Sequence, residues 1–197
     1  MNFMEKLTIR DLVTIGIFTG IIYILMGVVG FGLTIVTPIR VYIETATMSL
    51  LTMLPYLVMC RRIAKPGVIL IFNVVLGILL MFMGMWYTVP FILVAALISE
   101  WLLKVNNGYK SNKLIVFSHI LHYVVVNISM IIPFTFFREK YISALRSSKP
   151  YANEMIDLYL SVQGQLFVGA ITVVFSLVAA YISIKMVNKH FTSVSRH

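Results

Sequence analysis

The sequence predicts an all-α fold, a polytopic membrane protein with six transmembrane helices. Of its 197 residues, 60% are hydrophobic and 12% are charged, whereas soluble domains have about 45–50% apolar and about 25% charged residues. The charges are bunched and leave long apolar runs between them. A helix needs about 20 apolar residues to cross the roughly 30 Å hydrocarbon core of a bilayer. The composition therefore excludes a soluble, collagen-like or disordered chain.

The longest charge-free run, 66–99, is too long for one span, since its 34 residues would extend about 51 Å as a helix. Gly84, two aromatic residues and Pro90 lie close together in it, which predicts a break there. We treat 1–197 as a single transmembrane domain. Its predicted spans are 12–36, 41–60, 67–84, 87–105, 114–135 and 164–187. A long loop covers 136–163, and we expect part of it to form a short amphipathic helix over the outer mouth.

The distribution of basic residues predicts the orientation. Six spans place eleven of the sixteen Lys and Arg residues on the side of the termini and five on the other side, whereas five spans would divide them nine to seven. Because cytoplasmic loops carry the excess of Lys and Arg, we expect both termini in the cytoplasm and 136–163 outside. The net charge of +9 then lies in short loops beside the plasma membrane of a bacterium, so no nucleic-acid partner is expected.

Small residues recur on one face of the first span. Gly16 and Gly20 form a G-xxx-G motif, which Gly27 and Gly30 continue. Such spacing removes side chains from a helix face and lets another helix approach closely. Two interpretations stay open: packing within the chain, and docking of a helix from a separate protein.

Several polar and aromatic residues lie near the predicted outer ends of the spans. Arg40 and Glu44 are one turn apart and form either an interfacial ion pair or part of a ligand site. The residues Trp86, Tyr87, Arg138 and Tyr141 suit either an aromatic belt or a pocket for a planar ligand, including an anionic one.

The fifth span carries a polar stripe of His119, Tyr123, Asn127 and Met130, with His122 beside it. The stripe must face protein or a cavity, since these groups would be unsatisfied in lipid. Interhelical hydrogen bonding explains it, and a His–Met pair that ligates haem iron is the alternative. The predicted substrate-binding residues are Arg40, Glu44, Trp86, Tyr87, Asn127, Met130, Arg138 and Tyr141.

Known catalytic motifs are absent from the sequence. There is no Walker A loop, no G-x-S-x-G, no H-E-x-x-H and no metal-site spacing of Cys and His. We therefore expect no catalytic residue, no metal site and no enzymatic activity. Glu100, near Trp101 and Lys104, is interpreted as a member of an interfacial ion pair.

The chain resembles the substrate-binding S components of energy-coupling factor (ECF) transporters, particularly the Trep_Strep integral membrane family. The resemblance rests on residues 7–12 at the start of the first helix, Pro66-Gly67, Gly84-Met85-Trp86, 109–111, and Pro133 followed by 136–138 and Tyr141. It implies a six-helix S-component bundle that encloses substrate near the outside. It also implies docking to a transmembrane coupling protein with two ABC-type ATPases, which use the ATP, so this chain binds no cofactor.

The same resemblance implies a contact with the coupling protein at Gly16 and Gly20, where S components typically have alanines. The Met-His start of nickel and cobalt S components is replaced here by Met1-Asn2-Phe3. We expect a vitamin-like or cofactor-like organic substrate, with a tetrapyrrole as a variant. The alternatives are a gradient-driven carrier and a structural or regulatory membrane subunit that binds no ligand.

Overall fold

The computed structural model describes residues 6–33, 40–106, 108–139 and 152–191, and these ranges contain helices and turns but no strand. The all-α prediction is therefore confirmed. A 3-10 turn, Trp86–Thr88, precedes the fourth α-helix. The α-helices are α1 Ile9–Gly32, α2 Arg40–Ile63, α3 Val68–Phe82, α4 Val89–Val105, α5 Asn112–Ser129, α6 Ile131–Phe136, α7 Ala152–Leu160 and α8 Val162–Phe191.

Five segments are long and apolar enough to cross a membrane: Ile9–Gly32, Tyr42–Ile63, Trp86–Val105, Asn112–Phe136 and Val162–Lys189. Each overlaps a predicted span. The remaining predicted span, 67–84, corresponds to α3, which is equally apolar but has 15 residues. A helix of that length extends about 22 Å, against roughly 30 Å for the hydrocarbon core. By its length, α3 therefore does not qualify as a sixth membrane-spanning helix.

Contacts at the two ends of the bundle fix the direction of the helices. Lys65, after α2, pairs with Asp11 at the start of α1 at 3.0 Å, and Arg61 Nη1 donates to Asn188 Oδ1 near the end of α8 at 3.1 Å. We call this the basal end. The opposite, apical end holds the Trp86–Thr88 turn. The start of α1 and the end of α8 therefore lie together, as expected for a chain with an even number of passes.

The break predicted within 66–99 is present and lies at the apical end. Gly84 has φ +78°, a conformation that glycine adopts without a Cβ clash. The 3-10 turn follows, and Pro90 lies in the first turn of α4, where a missing N–H does no harm. The chain thus reverses within a few residues, and α3 and α4 pack against each other as neighbours.

Apolar side chains form much of the outer surface, and the interior combines an apolar core with polar side chains. Ile17, Trp101, Val174 and Tyr181 are all more than half exposed, and this outer surface suits lipid. The buried residues include several Thr, Ser, Asn and His side chains from α2, α3, α5 and α8. An apolar outer surface around buried polar groups agrees with a membrane bundle whose helices associate partly through small and polar residues.

Glu100 caps a helix rather than forming the predicted ion pair with Lys104. Its carboxylate accepts hydrogen bonds from the backbone N–H groups of Gly67, Ile69 and Leu70 at 3.1, 2.8 and 3.3 Å. These groups begin α3, and a helix N-terminus attracts negative charge. The predicted ion pair was wrong because the closeness of Glu100 and Lys104 in the sequence does not show that the start of α3 packs beside Glu100.

Tyr109 completes this basal contact. Its hydroxyl donates to Glu100 Oε2 at 2.8 Å. Burial and the neighbouring carboxylate raise the pKa of Tyr109, so the phenol keeps its proton and remains a donor. The loop before α5 is thereby attached to the starting turn of α3 and the end of α4.

Candidate functional site

At the apical end, α5 and the turn before α4 meet through side chains. The Tyr87 hydroxyl lies 3.7 Å from Met130 Sδ, and Ser129 Oγ donates to Thr88 Oγ1 at 3.1 Å. Tyr87 and Thr88 are buried. The structure therefore brings together two of the predicted site residues, Tyr87 and Met130, from segments that are far apart in sequence.

Asn127 lies one turn deeper on α5 and is buried. Its Nδ2 donates to Gln165 Oε1 at 3.0 Å, and Gln165 Nε2 donates to the backbone carbonyl of Tyr159 at 2.8 Å. Asn127 Oδ1 is buried without a hydrogen-bond partner among the described residues. Because a buried polar atom without a partner is costly, this oxygen is suited to accept a donor from a ligand.

A short helix covers this region, as the sequence predicted for part of 136–163. Ile156 and Tyr159 of α7 pack with Phe134 of α6, and Met130 lies against this cluster. The rings of Phe134 and Tyr159 are 5.4 Å apart between centroids. Met130 is thus part of both the contact with Tyr87 and the apolar contact beneath α7.

Trp86 and Arg138 lie at the rim of the same end. The Trp86 ring makes edge contacts with Tyr87 and Phe137, with centroids 6.1 and 5.9 Å apart, and the side chain is 53% exposed. Arg138 Nη2 lies 3.6 Å from Asp157 Oδ1, and both side chains are at least half exposed. A pair this exposed contributes little to stability.

The described part of the chain does not join the other three predicted site residues to this group. Glu44 is half-buried on α2, and its Oε1 lies on the α1 side, 3.7 Å from where a Cβ on Gly30 would be. Arg40 begins α2, but its side chain lies outside the described part of the chain, as does all of Tyr141. The Arg40–Glu44 pair and the place of Tyr141 therefore stay predictions.

The sequence did not predict the polar network that lies below the apical end. Thr52 Oγ1 lies 3.1 Å from His119 Nε2 and 2.7 Å from Tyr123 Oη. Asn73 Oδ1 lies 2.7 Å from His122 Nδ1. The stripe on α5 does face protein, as predicted, and its partners come from α2 and α3. No sequence signal singled out Thr52 or Asn73, since isolated polar residues in apolar helices are common.

The glycines of α1 face away from the bundle. A Cβ added at Gly16, Gly20 or Gly27 would have nothing within 4 Å, whereas one at Gly30 would contact side chains of α2. The buried face of α1 is instead formed by Ile15, Thr19, Ile22, Met26 and Val29. Gly16 and Gly20 therefore make no close helix–helix contact with the described residues of the chain.

The fold and the apolar outer surface define the class: the chain is a polytopic helical integral membrane protein. Residues 9–193 match the model of a family described as hypothetical bacterial integral membrane protein (Trep_Strep). Because the match covers nearly the whole chain, the chain belongs to this family. Neither the curated proteins nor the solved structures contain a match to it.

Proposed function

We propose that the chain is the substrate-binding S component of an ECF-type importer. It captures a vitamin-like or cofactor-like organic molecule at the apical end, which faces the outside. It delivers the molecule through a transmembrane coupling protein that two ABC-type ATPases power. The observation that carries the proposal is the outward glycine face of α1, with open space beside Gly16 and Gly20. The resemblance described above, together with the bacterial membrane family, supports it.

The apical end offers suitable chemistry for a small organic ligand. Asn127 Oδ1 is a buried acceptor without a hydrogen-bond partner in the described part of the chain, and the Tyr87 hydroxyl lies 3.7 Å from the weak acceptor Met130 Sδ. Asn127 Oδ1 can accept a hydrogen bond from a ligand without losing one that it already has. Trp86 adds an aromatic surface at the rim, and α7 covers the position. Apolar walls with a few polar groups are typical of ligand sites.

The position of Arg138 affects the expected ligand charge. Its guanidinium is paired with Asp157 in the structure, so an anionic ligand would compete with that carboxylate for it. Arg40, Glu44 and Tyr141 remain members of the proposed site by their sequence position near the same end.

The glycine face is the proposed contact with the coupling protein. Glycines spaced by four residues let two helix backbones approach and gain van der Waals contact that lipid does not supply. α1 also exposes Ile17, Ile24 and Val28, which would frame the glycines with apolar surface. ATP is used by the partner ATPases, since the sequence of this chain has no phosphate-binding glycine loop.

Mass spectrometry of small molecules retained by the purified chain tests the ligand part of this proposal. We expect one organic molecule per chain, and its removal and re-addition should change the fluorescence of Trp86 and raise the unfolding temperature. A structural subunit would retain none and show no stabilisation. A gradient-driven carrier would instead import the molecule into vesicles without the coupling protein and ATPases, and that outcome would contradict the proposal.

A further inference from the structure

We propose that His119 and His122 form a binding site for a monovalent soft metal ion, Cu(I), inside the bundle. Both residues are on α5 and are almost completely buried. Both rings contact the ring of Tyr123, with centroids 4.9 and 5.1 Å from its centroid. Both side chains line one small internal void between α1, α2, α3 and α5. The proposal goes beyond the organic substrate proposed above.

The hydrogen bonds of His122 show which ring nitrogen carries the proton. Asn73 Nδ2 donates to the carbonyl of Ile69 at 2.8 Å, which orients the amide and leaves Asn73 Oδ1 as an acceptor. His122 Nδ1, at 2.7 Å from that oxygen, must therefore be the donor. In a neutral imidazole the other nitrogen is then a bare acceptor, so His122 Nε2 has a free lone pair.

The same reasoning applies to His119 with the two nitrogens exchanged. Thr52 has one hydroxyl proton, and its Oγ1 lies 2.8 Å from the carbonyl of Met48, which can only accept. The Thr52 oxygen therefore accepts from Tyr123 Oη and from His119 Nε2. His119 carries its proton on Nε2, and its Nδ1 has the free lone pair.

These two lone pairs have no partner in the described part of the chain. His119 Nδ1 and His122 Nε2 are both buried and make no hydrogen bond. The void beside them is too narrow for a water molecule. A metal ion fits where water does not, because it binds imidazole nitrogen at about 2.0–2.1 Å and a hydrogen-bonded water needs about 2.7–3.2 Å.

The arrangement is the one that metal-binding histidines usually have. Such histidines donate their other N–H to an oxygen, which fixes the tautomer and the ring orientation. Thr52 and Asn73 supply that oxygen here, each from a different helix. Hydrogen bonds between helices explain one ring nitrogen of each histidine. They do not explain why the second ring nitrogen is buried without a partner among the described residues.

Charge and ligand number select the ion. None of the side chains that line the void is acidic, and the cost of burying an ion rises with the square of its charge. A divalent ion with two neutral ligands is therefore disfavoured. Cu(I) is monovalent, accepts two ligands, and copper binds imidazole well.

Anaerobic Cu(I) titration of the purified full chain against a chromophoric Cu(I) chelator tests the proposal. The other two histidines are first removed as His190→Leu and His197→Leu. We expect one Cu(I) per chain in this background. Affinity should fall at least 100-fold in His119→Leu and in His122→Leu, and Met186→Leu, at an exposed position of α8, should bind as the background does. X-ray absorption should show nitrogen ligands.

Two further variants keep the test decisive if a histidine variant fails to fold. Thr52→Val and Asn73→Leu leave both ligating nitrogens in place and remove only the group that orients each ring, so Cu(I) affinity should fall about 10–100-fold. Thermal unfolding of each variant without metal measures any loss of stability separately. Absence of bound Cu(I), sulfur ligands in the absorption spectrum, or equal affinity in all variants would overturn the site.

Discussion

Glu100 is the clearest case of one residue that organises its surroundings. Its carboxylate accepts hydrogen bonds from the first turn of α3 and from Tyr109, and so joins α3, α4 and the loop before α5. A carboxylate at a helix N-terminus is favoured both by the free N–H groups and by the helix dipole. The polar stripe on α5 shows the same principle in the interior, where each group is held by a partner from another helix.

Glu100→Gln should lower the free energy of unfolding by roughly 1–3 kcal/mol, since hydrogen bonds to a charged group are lost. Thermal or denaturant unfolding of the detergent-solubilised chain measures this loss. Lys104→Ala is the matched control, because Lys104 is exposed on the same helix end, and it should change the stability by less than about 0.5 kcal/mol. Equal losses in the two variants would favour an ion pair over the cap.

Trp86→Ala should weaken binding of the retained ligand by about 1–2 kcal/mol, the value of a stacking or cation–π contact. Tryptophan fluorescence and ligand titration by calorimetry measure the change. Trp101→Ala is the control, because Trp101 is the second of the two tryptophans and is exposed near the basal end of α4. Ligand affinity that is indifferent to Trp86, Asn127 and Arg138 alike would contradict the apical site.

At the scale of elements, hydropathy and turn residues predicted most of the helices. The break at Gly84 and Pro90, the extent of α4 and the short helix within 136–163 all follow from local sequence. The packing partners do not, because an apolar helix has many faces that pack equally well. The hydrogen-bond partners of His119, and the fact that Gly16 lies on the outer face of α1, depend on which helix packs beside each helix face. A single sequence does not contain that information.

The same limit explains the candidate site. Tyr87, Asn127 and Met130 were predicted as site residues from their residue types and their positions near the ends of the spans. Gln165 was not among the predicted site residues, and its hydrogen bond to Asn127 could not be predicted from the spacing of residues in the sequence. Glu44 was grouped with the apical residues by depth alone, whereas in the structure it faces α1.

Gly16→Leu or Gly20→Leu should abolish ATP-dependent uptake by the chain with its coupling protein and ATPases, and should leave folding and ligand binding intact. The reason is that a Cβ at either position has no neighbour within 4 Å among the residues that the structure describes. Gly169→Leu is a matched control, because Gly169 on α8 also has open space beside it, and uptake should persist. Loss of folding in the Gly16 or Gly20 variant would instead indicate internal packing.

At the scale of the whole molecule, the start of α1 and the end of α8 both contact the end of α2. Both therefore lie at the basal end of the bundle. The excess of basic residues at that end predicts that it faces the cytoplasm. The apical end, with Trp86 and the covering helix α7, would then meet the outside, where a substrate is captured.

Single cysteines test this orientation on a Cys60→Ser background. Asn106→Cys lies at the basal end and Glu139→Cys at the apical end, and both positions are exposed. An impermeant thiol reagent added to intact cells should label position 139 and leave position 106 unlabelled. The opposite pattern would reverse the orientation, and equal labelling of both positions would contradict the membrane span between them, Asn112–Phe136.

Native mass spectrometry of the chain co-expressed with an ECF coupling protein and its two ATPases tests the central claim most directly. The account predicts one assembly that contains one copy of this chain, one coupling protein and two ATPase subunits, and it predicts that Gly16→Leu releases this chain alone. A wild-type chain that is never found in that assembly, while the other three subunits associate normally, would contradict the assignment as an S component.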